Sequence, residues 1–271
     1  MLVRRGNSAH APVLLKTLSI HRILRGQWPR ILTAISMAFA STSLFAAECA
    51  PFEFQNTRAI VCRIDVREER LQLFHSDEQG RPLKYFAGLK RHVNARNEQL
   101  VFAMNAGMYH SDFSPVGLLV MEGQQHTPLN LDSADGNFFL KPNGVFLISD
   151  QGAKVIESSR YPTLNEKVSI ATQSGPLLVL DGELHPAFRE DSTSRNVRNG
   201  VGILSPHEVV FAITEHPVNF YDFAILFRNG LGCKDALFFD ATVSSLYTEN
   251  LERADLRSSL GPMIAITRPL E

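Results

Sequence analysis

The sequence predicts an α+β fold, a mainly antiparallel β core of hairpins with a few helices, in a single domain. Three observations predict it. Short apolar arms repeatedly flank Asp-Gly or Glu-Gly turns, a strong short-range hairpin signal. Only two segments carry apolar residues at helical spacing. From residue 48 onward there is no low-complexity linker, fixed-period repeat or block of like charge.

The N-terminus reads differently from the rest. Residues 1–47 carry six basic residues (Arg4, Arg5, Lys16, Arg22, Arg25, Arg30) and no acid, then an apolar run rich in Ser, Thr and Ala from Ile31 to Ala47. A basic start, a short apolar stretch and a small-residue exit describe a secretory signal peptide. Its ~16 mildly apolar residues are short for a span of ~20, so no stable membrane insertion is expected after cleavage. The domain organisation is therefore 1–47 leader and 48–271 folded domain, with a periplasmic or secreted destination. The whole chain has 27 basic and 28 acidic residues; without the leader, 21 basic face 28 acidic, a net of −7. No basic face survives, which excludes nucleic acid as a partner.

Cys49 and Cys62 flank a short segment near the start of the domain, and export favours a disulfide between them. Cys233 reads as a buried, apolar-like thiol. Arg58 to Val66 and Leu71 to His75 are strands around an Asp/Arg/Glu-rich turn. Pro82 to Val93 has helical spacing, and Gln99 to Met104 is a strand running into Asn105-Ala106-Gly107. Hairpins follow at 116–129 around Glu122-Gly123, at 144–156 around Asp150-Gln-Gly152, and at 176–185 around Asp181-Gly182. Gly200 to Leu204 and Val209 to Ile213 form another, joined by Ser205-Pro206-His207. Asn219 is a good N-cap for a helix whose Phe220, Phe223, Ala224, Phe227 and Leu231 make one apolar stripe. The apolar strand Ala236 to Phe239 then ends in Asp240, ahead of Ser244-Ser245.

Several strands end in a polar residue beside glycine: Asn105 and Gly107, Asn143 and Gly144, Ser174 and Gly175, Asn199 and Gly200. Such exposed amides and side chains suit sugar hydroxyls or phosphate oxygens, although Asn and Gly are also ordinary turn residues. Two acids, Glu215 and Asp240, end apolar strands that a short helical crossover would place side by side. An acid there is costly to desolvate unless paired or used. No His spacing suits zinc, and the Asp132/Asp135 loop lacks an EF-hand pattern. No cofactor is called for, and a divalent metal is left open. Ser174 and Ser244 lie outside any Gly-x-Ser-x-Gly, which disfavours a serine hydrolase.

The ordered series Asn105-Ala-Gly107-Met-Tyr109, Pro115-Val-Gly117, Pro142-Asn-Gly144, Gln173-Ser-Gly175-Pro, Arg198-Asn-Gly200, Glu215 and Ala236-Leu-Phe-Phe-Asp240 resembles the phosphodiester glycosidase domain family. That family includes the enzyme that uncovers mannose 6-phosphate by removing N-acetylglucosamine from a phosphodiester; this chain is most similar to its exported bacterial members. The resemblance implies cleavage of a glycosyl phosphodiester at the anomeric carbon. It implies catalytic Asp240 and Glu215, with Arg198 as the phosphate-facing cation. Asn105, Gly107, Asn143, Ser174, Gly175, Asn199, Ser244 and Ser245 would line the substrate site. The family's Asp-Gly-Gly turn is here Asp240-Ala241-Thr242, which puts substrate identity and turnover in question. The rival expectation is a non-catalytic carbohydrate- or phosphate-binding envelope protein on the same scaffold.

Overall fold

The computed structural model describes residues 47–256 and 258–270; the expected leader lies outside them except for Ala47. Among the described residues there are three antiparallel sheets, with two short helices, a π turn and two 3-10 turns. The α+β expectation holds.

The largest sheet has seven strands in the order Glu48–Phe54, Thr57–Asp65, Glu208–Thr214, Asn199–Ser205, Asp235–Asp240, Leu177–Leu180 and Glu183–Leu184. A second has the order Arg253–Ala254, Leu246–Thr248, Glu98–Asn105, Met263–Pro269 and Leu71–Phe74. The third has the order Gln124–Thr127, Leu119–Met121, Val168–Ser174, Gly144–Ser149 and Gly152–Glu157. All four expected hairpins, three around glycine turns and one around Ser205-Pro206-His207, form as paired strands. Cys49 and Cys62 are direct cross-strand partners and form a disulfide. Cys233 is buried, and burial pushes its thiol up to about 12.

Two expectations need correction. The strands on either side of the Asp/Arg/Glu-rich turn do not pair with each other. Thr57–Asp65 joins the seven-stranded sheet and Leu71–Phe74 the second, so the turn is a crossover between layers. The first helix starts at Phe86 rather than Pro82. Pro82 bridges to Ser76 and Lys84 takes a left-handed φ of 62°, so residues 82–85 cannot continue a helix.

Alternation along the seven-stranded sheet feeds two cores. Val201, Phe211, Leu237 and Phe239 face the other two sheets and meet Phe102 and Phe146. Val210, Ala212, Ala236 and Phe238 face the opposite way and are covered by Phe223 and Phe227 of the second helical segment. That segment begins as predicted, with Asn219 accepting a hydrogen bond from the Asp222 amide at 2.8 Å. It runs from Phe220 to Ile225 and widens to a π turn at Leu226–Gly230. Truncating buried Phe227 to Ala would cost about 3–5 kcal/mol.

Candidate active site

The C-terminal ends of strands from all three sheets converge, and buried polar side chains tie them together. Asn105 ends a strand of the second sheet and Asn199 begins one in the seven-stranded sheet. The Asn105 amide donates to Asn199 Oδ1 at 3.2 Å, and Asn199 donates back to the Asn105 carbonyl at 2.8 Å. Ser174, ending a strand of the third sheet, donates to the Phe239 carbonyl at 3.0 Å. Thr172 donates to the Ala106 carbonyl at 2.5 Å. The 240–245 turn is fastened to this hub. Ser245 N donates to Asn105 Oδ1 at 2.9 Å, and Ser244 Oγ reaches Asn199 Oδ1 at 3.1 Å and the Asp240 carbonyl at 2.9 Å.

The strand ends expected to offer exposed polar groups are in fact closed. Asn105, Ser174, Asn199, Ser244 and Ser245 are all buried, as are Gly107 and Gly175. Their hydrogen-bonding capacity is used between sheets, because a buried amide or hydroxyl must find a partner inside. Asn143 is also buried and donates to the Phe138 carbonyl at 2.8 Å. The backbone at Gly175 passes so close to this residue that an added Cβ would lie 2.7 Å from Asn143 Cβ. These residues shape and hold the site rather than face solvent.

The three residues expected to carry chemistry occupy three environments. Asp240 keeps part of its surface in solvent, yet burial raises its carboxyl above the usual carboxylate range. The amides of Val243, Ala241 and Thr242 oppose that rise, with Val243 N 3.3 Å from Oδ1. Among the described residues no cation forms a salt bridge with it. Glu215 is exposed and pairs with Arg253 at 2.6 Å. Arg253 is in turn held by Asp255, at 2.9 Å, whose carboxylate also accepts the Leu246 amide at 3.0 Å.

Arg198 lies apart from both acids. Strand alternation sends Asn199 to the hub and Arg198 to the other face of the sheet, beneath the helical segment. Its guanidinium stacks on Phe220 at 3.7 Å and donates to the Val218 and Ser194 carbonyls at 2.9 and 3.1 Å. Only 1% of its surface is exposed, and burial alone lowers it to about 10, so it stays a cation at neutral pH. Nη1 has no partner. The expected phosphate-facing position of Arg198 is thus not met here. The expected adjacency of the two acids is not met either. Strand Asn199–Ser205 lies between theirs, which puts their backbones roughly 10 Å apart, two interstrand spacings.

Two neighbours of these acids were not among the expected site residues. Arg253 becomes visible only when a two-residue strand lies beneath Glu215. Tyr109 follows Gly107 and lies near enough to Asp240 for its charge to raise the phenol, after burial. Its hydroxyl donates to the Ser259 carbonyl at 2.5 Å.

The fold has a solved counterpart. The zebrafish N-acetylglucosamine-1-phosphodiester alpha-N-acetylglucosaminidase catalytic domain, auto-inhibited by its pro-peptide, superposes with a TM-score of 0.55 at 11% identity, covering 81% of each chain. In sequence, the uncharacterized protein YigE of Escherichia coli (strain K12) is 33% identical over 184 residues, 68% of this chain and 72% of that one. Residues 98–261, from the strand that ends in Asn105 through the 240–245 turn to the Ser259–Gly261 segment beside Tyr109, match the phosphodiester glycosidase model, and the chain belongs to that family.

Proposed function

We propose that the protein is an exported hydrolase that cleaves a glycosyl phosphodiester at the anomeric carbon, with Asp240 as its central carboxylate. The observation that carries this reading is the environment of Asp240: a desolvated acid at a strand end, without a cation in salt-bridge range among the described residues, clamped by the amides of its own turn. Acids so placed collect at functional sites, because burial makes the ionised form a stronger base.

Asp240 takes a proton from water, the water oxygen bonds to the anomeric carbon, and the carbon–oxygen bond to phosphate breaks with its electron pair leaving on oxygen. The phosphate monoester departs as an anion without needing a proton, and the proton on Asp240 returns to solvent. Glu215, exposed and fixed by Arg253, accepts hydrogen bonds from substrate hydroxyls in this reading. Carboxyl groups about 5–5.5 Å apart serve retention, whereas wider pairs leave room for a water. Direct attack by water is a single displacement and inverts the anomeric centre. Arg198 serves in this reading to pin residues 194 and 218 over the helix-side core. The disulfide supports export, since such bridges persist in oxidising compartments.

The test is release of free sugar from a panel of sugar 1-phosphodiesters, with the product anomer read by NMR. The reading requires release by the wild type, an inverted product and loss in Asp240→Asn. Wild-type binding without any release would leave only the non-catalytic alternative.

A further inference from the structure

Tyr109 does not stand alone beside the 240–245 turn. Phe113 stacks on it face to face, with centroids 5.4 Å apart and planes 9° from parallel. The Lys84 ammonium lies 4.3 Å above the Phe113 centroid on the same ladder. Residues 259–261 lock the two ends together. Ser259 accepts the Tyr109 hydroxyl, and the Leu260 amide donates to the Lys84 carbonyl at 2.6 Å. Gly261 must lack a side chain, since a Cβ there would come within 2.5 Å of the Tyr109 ring. Next to Lys84, Tyr85 is 46% exposed, one of few large apolar residues so placed among the described residues. On the side of the turn, Leu83, next to Lys84, and Val243 both pack on the apolar cluster that contains Leu260.

Lys84 has no carboxylate partner among the described residues. The acids along the adjoining depression are engaged elsewhere, Asp77 with Arg81 at 2.7 Å and Glu78 with His92 at 3.6 Å. An ammonium on an aromatic face keeps its outward N–H groups free for an anion. The chemistry proposed for Asp240 needs such a cation, since the leaving group carries charge as it departs. Arg198 is sealed on the far face of the sheet.

We propose that Lys84 is the residue that receives the phosphate of the substrate, and that the exposed Tyr85 side chain beside it is the surface against which the sugar packs. This rests on the assignment of Asp240 above, and it names the substrate side of that site as a sugar ring bearing an anionic phosphate.

The probe is N-acetylglucosamine 1-phosphate, compared with neutral N-acetylglucosamine and with inorganic phosphate, by titration of the full-length mature protein. Lys84→Gln should weaken the sugar phosphate and inorganic phosphate at least tenfold, while the neutral sugar binds as before. Lys84→Arg should retain more affinity for both anions than Lys84→Gln, because the charge is kept. In the wild type, bound sugar phosphate should protect Lys84 from acetylation, read by mass spectrometry. Unchanged affinity in Lys84→Gln, unprotected Lys84, or no anion binding by the wild type would each overturn the proposal. Hydrolysis that depends on Asp240 but not on Lys84 would overturn it while sparing the proposed function. Lys84-dependent binding with no hydrolysis of any diester would do the reverse.

Discussion

Asp240 and Glu215 both end apolar strands of one sheet, yet their surroundings share little. Asp240 sits beside the buried Asn105–Asn199 hub, has backbone amides for company, and is partly stripped of water. Glu215 reaches into solvent and leans on Arg253, itself braced by Asp255. A charge denied both water and a counter-ion raises the free energy of the fold; a charge in an exposed pair changes it little. In the proposed reading, the pair separates a carboxylate that reacts from one that positions.

The strongest way to break that contrast is Asp240→Asn. Loss of a positioned base lowers kcat by roughly 10²–10⁴-fold. The same variant carries a pH signature. The Asp240 carboxyl is raised in the fold, so between the ordinary aspartate value and its folded value the native state holds more protons than the unfolded one. Stability then falls as pH rises through that window. Asp240→Asn should remove this fall and be at least as stable as wild type at pH 7, as measured by urea unfolding across pH. A variant that is inactive because it is unfolded would show the opposite.

Asn105→Ala tests the hub between the two acids. It strands the Ser245 amide and the Asn199 side chain, and should cost about 2–4 kcal/mol in urea unfolding. A change below 1 kcal/mol would mean the hub does not hold the turn. Glu215→Gln sharpens the contrast from the other side: about a tenfold or smaller fall in kcat/KM, with stability moved by less than about 1 kcal/mol. A loss as large as that of Asp240→Asn would make the two acids equal partners. The smallest effect is expected from Ala241→Gly. Neither Ala241 nor Thr242 takes a left-handed φ, so the turn does not require the glycines of the family pattern. Glycine should destabilise by about 0.5–1 kcal/mol through chain entropy, and a gain in stability would reveal strain.

The hairpins were legible because their signals are local. Asp181-Gly182 and Glu122-Gly123 set the turn, and alternation set the faces. The helix after Asn219 was legible for the same reason, through its cap and stripe. The partners of Leu71–Phe74 were not, since strands that leave one sheet for another carry no local mark of it. Asn199 and Arg198 show the limit at a single step of the chain. Both looked like site residues, but the sheet sends one into the hub and the other under Phe220. Lys84 had no signal at all, because its partner Phe113 is brought near it by His75, whose ring bonds the Phe113 carbonyl and whose own carbonyl accepts the Leu83 amide.

By itself, the sequence determined the fold class, the hairpins, the Cys49–Cys62 bridge and the family. Each follows from patterns spanning a few residues or from an ordered set of motifs. Only the tertiary structure decided which polar residues are scaffold and which stay open, that one strand separates Glu215 from Asp240, and that Arg198 faces away. Those outcomes depend on sheet order and on which side of a sheet is covered, and neither is fixed by neighbours along the chain.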